Sequence, residues 1–381
     1  MLFGFVVPPT VADAPAVQPH HYELLQQALQ RYRALAAQPD LNALPPLAAR
    51  ALKPGAQYAG AAQLRRLLVA LGDLPQADAA RAGDLTLDPL LVDGFRRFQA
   101  RHGLDADGIL GPATFGALTT PLITRMRQIE LTLERWNRLP AGLDAPPIFI
   151  NIPQFRLFGL YSLDDRESDM LTMDVVVGQA LGQFRTPVFA AEMTYVVFRP
   201  YWDVPRSIAF RELLPEIRAD AGYLQNNDFE IVSSSGVVVE ETSANLDAVA
   251  DGVLRLRQRP GPRNALGRMK FMLPNPFNVY LHDTPAQGLF GHRRRTFSHG
   301  CVRVADAVGL AEYVLRHDST WTRDRILQAM NGSQTLRVDL PRPIRVFIVY
   351  GTAIPHEDGQ VWFFDDIYGH DAPIARTPDR R

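Results

Sequence analysis

The sequence is poor in two residue types, with Cys301 as its single cysteine and Lys53 and Lys270 as its lysines among 381 residues. One cysteine excludes intramolecular disulfides and cysteine-rich zinc modules. No apolar run reaches the roughly 20 residues of a transmembrane helix. The first residues, MLFGFVV, lack the basic leader of a secretory signal, so either the remnant of a trimmed signal or a flexible lead-in is expected there.

The charge balance also excludes some classes of partner. Because the net charge is −1, nothing points to nucleic acid or an anionic membrane. Arginine supplies almost all of the positive charge, which a compositional bias of the genome explains most simply, although arginine also suits the binding of carboxylates. The chain is long enough for two or three domains, and 46% hydrophobic residues can build real cores.

The two halves of the chain differ in residue types and in hydrophobic periodicity. Apolar residues at helical spacing predict a helix over 21–37, a small three-helix module over 60–118 and a long helix over 123–139. From about residue 146 to 352, β-branched and aromatic runs bounded by glycine and proline predict mainly strands. A mixed stretch at about 205–262 interrupts this half.

The segment 278–304, NVYLHDTPAQGLFGHRRRTFSHGCVRV, carries the chemistry. A lone cysteine is usually a small buried hydrophobic residue, but Cys301 lies in a loop-like stretch directly after Gly300. Glycine beside a nucleophile lets backbone N–H groups face a developing oxyanion. Nearby arginines and imidazoles are expected to favour the thiolate. We therefore predict that Cys301 is a nucleophile.

A cysteine nucleophile needs a base, and His282, His292 and His299 all lie near Cys301 in sequence. His282 ends a strand-like run, which would hold its imidazole in place, whereas His292 is expected at the surface. Asp283 either orients the imidazole or caps a turn. The run Arg293–Arg295 predicts a solvated face. A zinc site made of the three histidines and Cys301 is the rival interpretation, but no HExxH helix or paired cysteines support it.

The motif SHGCVR with an upstream strand-borne histidine resembles the signature of the L,D-transpeptidase (YkuD-type) catalytic domain, in its long Gram-negative periplasmic branch. The segments NIPQFRLFGL, RPYWDVP, PGPRNALGRMKF and YLHDTP are similar to that branch. In the helical half, VDGFRRFQARHGLDADGILGPAT resembles a peptidoglycan-binding domain.

The resemblance implies a mechanism. Cys301 would attack the diaminoacyl carbonyl of a tetrapeptide stem and release D-alanine, with His282 as base and then acid. A second stem's amine would resolve the thioester into a 3–3 crosslink. The resemblance also implies that the N–H groups of Gly300 and Cys301 bind the oxyanion. The other implied site residues are His299 and Asp283 near the catalytic pair, and Arg303, Ser298, Tyr280 and Trp202 toward substrate.

The expected architecture is a multidomain α+β protein: a mainly β catalytic domain with a capping insertion, a three-helix peptidoglycan-binding domain and flanking helices. The expected ranges are 1–19 lead-in, 20–54 and 120–143 helical scaffold, 55–119 binding domain, 144–352 catalytic domain with 205–262 as cap, and 353–381 C-terminal tail. No metal or cofactor is implied. The expected partners are peptidoglycan and other cell-wall enzymes, in the periplasm.

Three alternatives stay open from the sequence. Transfer of the acyl group to water would make the protein an L,D-carboxypeptidase. Transfer to a lysine of an outer-membrane protein would make it an anchoring enzyme. A catalytically dead wall-binding protein is the alternative from another class, and the intact pair His282 and Cys301 argues against it.

Overall fold

A computed structural model describes residues 19–38, 40–77, 84–140, 143–163, 165–166 and 169–372. The expected lead-in therefore lies almost entirely outside the described residues. The chain divides into two compact units. The first comprises 1–144, 151–154 and 349–381, and the second comprises 145–150 and 155–348. None of the helices in the described part of the chain is long and apolar enough to cross a membrane.

The first part of the chain is mainly helical and the later part contains the strands, as the hydrophobic patterns predict. The helices are α1 (Pro19–Ala36), α2 (Ala61–Leu71), α3 (Pro89–Arg101), α4 (Pro112–Thr119), α5 (Leu122–Trp136), α6 (Arg206–Ile208), α7 (Leu214–Ala219), α8 (Tyr223–Asn226), α9 (Ser243–Asp251), α10 (Ala307–Leu315) and α11 (Arg323–Asn331). The strands are β1 (Ile148–Asn151), β2 (Arg156–Gly159), β3 (Leu171–Gly178), β4 (Phe189–Phe198), β5 (Trp202–Asp203), β6 (Phe229–Val232), β7 (Val238–Val239), β8 (Arg255–Gln258), β9 (Met269–Met272), β10 (Leu281–His282), β11 (Thr296–Ser298), β12 (Val302–Val304), β13 (Leu336–Val349), β14 (Ala353–Pro355) and β15 (Val361–Phe363).

The first unit contains the helical module, and a buried amide holds its loop in place. Gln99, on α3, donates to the Asp107 carboxylate at 2.9 Å and to Thr114 Oγ1 at 3.0 Å, and it accepts from Gly108 N–H at 2.9 Å. These residues all belong to the segment VDGFRRFQARHGLDADGILGPAT noted in the sequence, in its FQ, DG and AT positions. The pattern thus encodes the packing of this loop, because a buried amide must have its hydrogen bonds satisfied.

The end of the chain differs from the expected tail. Strands β14 and β15 pair as an antiparallel hairpin within the first unit. Phe363 is buried, and its ring lies 5.3 Å from the ring of Tyr32 on α1. Arg101 of α3 donates to the Val361 carbonyl at 3.2 Å. The prediction of a tail is therefore wrong for this segment, since its short apolar strands gain their stability from packing against distant helices.

The second unit is built on a nine-stranded sheet with the order β11-β3-β12-β10-β9-β4-β13-β1-β2, and β2 also pairs with β3. Most pairs are antiparallel, but β10 runs parallel to β12. Together with the helical module, this mainly β unit confirms the predicted multidomain α+β class. Alternate residues of the central strands, such as Val196, Phe271 and Leu281, are fully buried.

The mixed stretch after β4 forms a lobe with a core of its own. Its sheet has the order β5-β8-β6-β7, and α6 to α9 pack against it. The buried residues of this core are Val204, Ile208, Ala209, Leu214, Ile217, Leu224, Phe229, Ile231, Leu246, Val249 and Leu256. We call residues 202–258 the cap lobe. A separate core explains why the strand pattern of the surrounding sequence breaks here.

Candidate active site

The register of two parallel strands brings the predicted nucleophile and base to one face of the sheet. Leu281 lies opposite Val302, and both are fully buried in the core. Since neighbouring side chains on a strand point to opposite faces, the flanking residues Tyr280, His282, Cys301 and Arg303 face the other way. All four line one cavity of about 810 Å³.

His282 is held as a neutral imidazole with a defined tautomer. Its Nδ1 lies 2.6 Å from the Asp283 carbonyl oxygen. Because a carbonyl can only accept, Nδ1 carries the proton and Nε2 keeps a lone pair. Burial, with a smaller contribution from the positive charge of Arg303, lowers the pKa of His282 to about 3. The imidazole is therefore unprotonated at Nε2 at neutral pH.

Cys301 corrects one expectation from the sequence. Burial raises the pKa of its thiol, and this outweighs the opposing effects of hydrogen bonds with Tyr280 and of the charges on Arg303 and Lys270. The Sγ–H donates to the Asn278 carbonyl at 3.7 Å. The nearby cations do act in the direction expected from the sequence, but a resting thiolate is not the net result, because desolvation disfavours the charged form and is larger.

The loop before Cys301 has a backbone that suits glycine alone. Gly300 has a φ of +112°, which side-chain-bearing residues rarely adopt. Its carbonyl accepts from Thr186 Oγ1 at 2.9 Å, and its N–H donates to Ser298 Oγ at 3.2 Å. The N–H expected to bind the oxyanion is thus engaged inside the loop, which corrects the role implied for Gly300.

Ser298 and Asp283 also make local contacts. Ser298 is buried, and its hydroxyl donates to the Cys301 carbonyl in addition to accepting from Gly300. The Asp283 carboxylate accepts from Arg268 N–H at 2.8 Å, while its carbonyl orients His282. The Asp283 side chain therefore caps a turn, as one of the two interpretations predicted. The imidazole is oriented by the main-chain carbonyl of Asp283 and not by its carboxylate.

The residues predicted to contact substrate lie around the same cavity. Arg303, Tyr280, Ser298 and Trp202 all line it. The Nε atom of Arg303 is buried and has no hydrogen-bond partner among the described residues. Burial of an N–H group without a partner is costly, and the rest of the Arg303 side chain lines the cavity. Burial and the neighbouring Cys301 raise the pKa of the Tyr280 hydroxyl.

The other histidines and the arginine run occupy different positions. His299 lines the cavity, and its Nε2 lies 2.8 Å from the Glu212 carboxylate of the cap lobe. His292 is exposed and packs edge-on against Phe297, away from the cavity lining. Arg295 is mostly buried and pairs with the Asp174 carboxylate at 3.0 Å. The prediction of a solvated face over Arg293–Arg295 is therefore wrong at Arg295.

Sequence reasoning did not single out several residues of this site. Lys270 of β9 lies opposite His282 in the register, and burial lowers the pKa of its ammonium group. Asn278 has a φ of +54° and accepts from the thiol. Thr186 anchors the Gly300 loop from the segment after β3. These contacts join segments that are separated in the sequence, so no short-range spacing of residues predicts them.

Within the described ranges, no three histidine, cysteine, aspartate or glutamate side chains cluster as a metal site requires. The set proposed for zinc is not brought together, because His292 lies outside the cavity lining. The groups present at the site are a neutral base, a half-buried thiol and hydrogen-bond donors. Such a set can perform acyl transfer through a cysteine.

Comparison with known proteins gives two family matches. Residues 146–337, half of the chain, match the YkuD model, described as an L,D-transpeptidase catalytic domain. Residues 57–118 match the model described as "Putative peptidoglycan binding domain". The second unit thus falls within a catalytic-domain family. The chain belongs to the L,D-transpeptidase catalytic-domain family and carries an N-terminal peptidoglycan-binding domain, as the sequence predicted.

Individual relatives are more distant. A protein of Haemophilus influenzae named "Putative L,D-transpeptidase" is 34% identical over 229 residues, which cover 60% of this chain and 45% of that protein. The matched region thus spans less than half of that relative's length. Crystal structures of L,D-transpeptidase 3 from Mycobacterium tuberculosis (12% identity, 54% of this chain and 61% of that chain, TM-score 0.25) and of a Clostridium acetobutylicum fused Zn-dependent amidase/peptidase with a peptidoglycan-binding domain (11%, 78% and 99%, TM-score 0.21) are also similar. Those scores are too low to inform on fold or activity.

Proposed function

We propose that this protein is an L,D-transpeptidase that forms 3–3 crosslinks in peptidoglycan through a thioester on Cys301. The observation that carries the proposal is the placement of a neutral imidazole and a thiol on one face of paired strands, around one cavity. The bond from His282 Nδ1 to the Asp283 carbonyl leaves Nε2 as the base. The family match supplies the class of reaction.

The first half-reaction starts from two uncharged groups. As Sγ of Cys301 attacks the diaminoacyl carbonyl of the donor stem, its proton passes to His282 Nε2. Positive charge therefore develops on His282 and negative charge on the substrate oxygen in the transition state, whereas both protein groups are neutral in the resting site. The Tyr280 hydroxyl, which lines the same cavity as Cys301, would donate to the oxyanion together with the Cys301 N–H. The imidazolium next protonates the leaving amine of D-alanine, and the C–N bond breaks.

Arg303 would hold the donor in this geometry. A stem peptide carries several carboxylates, and a half-buried guanidinium at the cavity wall suits one of them. Such a fixed ion pair would orient the scissile carbonyl above the sulfur, and orientation accounts for a large share of catalysis. Trp202 of the cap lobe lines the same cavity and would cover the bound stem.

The peptidoglycan-binding domain fits this activity. A polymeric substrate is sparse in solution, and a wall-binding module raises its local concentration around the catalytic unit. We therefore place the enzyme at the cell wall, in the periplasm of a Gram-negative cell. The binding domain and the catalytic unit would act on the same meshwork.

Analysis of muropeptides tests the proposal. Purified sacculi rich in tetrapeptide stems are incubated with the protein or with Cys301→Ala, then digested and examined by liquid chromatography and mass spectrometry. The proposal predicts new dimers linked between two diaminoacyl residues with the wild type alone. Shortened tripeptide stems without dimers would favour the carboxypeptidase, and unchanged stems would refute an acyl-transfer role.

A further inference from the structure

A carboxylate of the cap lobe reaches the catalytic loop. Glu212 lies in a five-residue π-helical turn, Ala209–Leu213, inserted between α6 and α7. Its Oε1 is 2.8 Å from Nε2 of His299, which is two residues before Cys301. Both residues line the cavity. Short π-helical turns within α-helices occur frequently at functional sites.

Glu212 differs from the other acidic side chain at the cavity. Among the described lining residues, the carboxylates are those of Asp203 and Glu212. Asp203 is already paired with the permanent positive charge of Arg255, at 3.2 Å. Glu212 is paired with an imidazole, which carries charge only when it is protonated. Its side chain is 42% exposed, so a cation entering the cavity can reach it.

The proposed reaction brings a cation to this place. After D-alanine has left, the nucleophile that resolves the thioester is an amine, which in solution is an ammonium ion. Water, the competing acceptor, has no charge. A negative charge at the cavity wall therefore distinguishes the two acceptors, whereas the neutral side chains of His282 and Tyr280 do not.

We propose that Glu212, positioned by His299, binds the ammonium group of the acceptor stem and thereby favours crosslinking over hydrolysis. This inference rests on the proposed function. The acceptor ammonium loses one proton to solvent, and its nitrogen attacks the thioester carbonyl. The new C–N bond forms, the C–S bond breaks, and a second proton from nitrogen passes through His282 to the Cys301 sulfur.

The test compares acceptors on the same acyl-enzyme. Wild type, Glu212→Gln, Glu212→Asp and Glu216→Gln are given a soluble donor tetrapeptide with either a diaminoacyl peptide amine or hydroxylamine, a nucleophile that is uncharged at mildly alkaline pH. Products of transfer and hydrolysis are quantified by mass spectrometry at subsaturating acceptor. Glu216 is exposed on α7 and does not line the cavity, so its variant is the matched control.

The inference predicts that Glu212→Gln lowers the ratio of peptide transfer to hydrolysis by about tenfold or more, through a higher KM for the peptide amine. The ratio with hydroxylamine and the Glu216→Gln variant should match the wild type, and Glu212→Asp should recover part of the loss. Glutamine can still hydrogen-bond to His299, so an unchanged ratio would overturn the inference in favour of a purely structural contact. An equal loss with both acceptors would also overturn it. Failure of the wild type to form any acyl-enzyme would refute the proposed function instead.

Discussion

Replacing His282 with glutamine should make the catalytic unit less sensitive to acid. Burial lowers the pKa of His282 from an ordinary 6.5 to about 3 in the folded protein. In the unfolded chain the imidazole regains its ordinary pKa. Between these two values the unfolded state binds a proton that the folded state excludes, so the wild type loses stability as the pH falls below 6.5.

The magnitude follows from the two pKa values. Each pH unit within that window costs about 1 kcal/mol or slightly more, so acidification from pH 7 to pH 4.5 removes about 2 to 3 kcal/mol through His282 alone. For a unit of this size, that loss corresponds to about 5 to 10 °C in Tm. The glutamine variant has no such group and should lose correspondingly less over the same interval.

Thermal unfolding at both pH values, for wild type, His282→Gln and His292→Gln, measures this difference. His292 is exposed, so its variant should follow the wild type. Burial also lowers the pKa of His102 in the first unit, but that contribution is common to all three proteins. Equal acid losses in wild type and His282→Gln would refute a neutral buried base and would favour an imidazolium paired with a thiolate.

The remaining predictions concern the nucleophile, its loop and the helical unit. A carbapenem should add its whole mass to the wild type and none to Cys301→Ala in intact-protein mass spectrometry, because the nucleophile opens a strained amide; an unmodified wild type would contradict this. Gly300→Ala should slow thioester formation by about tenfold or more. The new Cβ would meet no close atom, but the φ of +112° strains a residue that has a Cβ, and this strain would displace the loop. An unchanged rate in a quenched-flow assay would count against it. Asp73→Asn leaves Arg101 buried beside a neutral amide and should cost about 3 to 5 kcal/mol in denaturant unfolding, whereas Asp93→Asn at an exposed pair should cost about 1 kcal/mol or less; similar losses would refute the difference.

The sequence predicts the pair His282 and Cys301 because both lie in one short segment whose strand and glycine signals are local. It also predicts the helical module, since the positions around Gln99 form a compact pattern. The contact from Glu212 to His299 and the burial of Arg295 are different. Both contacts involve partners on the cap lobe or on β3, and the spacing of residues near His299 or Arg295 does not predict where those elements lie.

The charge state of the thiol escapes sequence reasoning for a physical reason. Arg303 and Lys270 do act on Cys301 in the expected direction. Desolvation acts in the opposite direction and is larger, and burial is a property of the whole fold. The hairpin of β14 and β15 illustrates the same limit, because its short strands are stabilised by residues such as Tyr32 and Arg101 far earlier in the chain.

The central claim is that Cys301 forms a thioester with a tetrapeptide stem, with His282 as the base. Intact-protein mass spectrometry after rapid mixing of the wild type with a soluble tetrapeptide donor tests it most directly. The account predicts a mass increase equal to the donor minus D-alanine, located on the peptide that contains Cys301, and a strongly slowed increase in His282→Gln. An adduct on another residue, or equal rates in the two proteins, would contradict it.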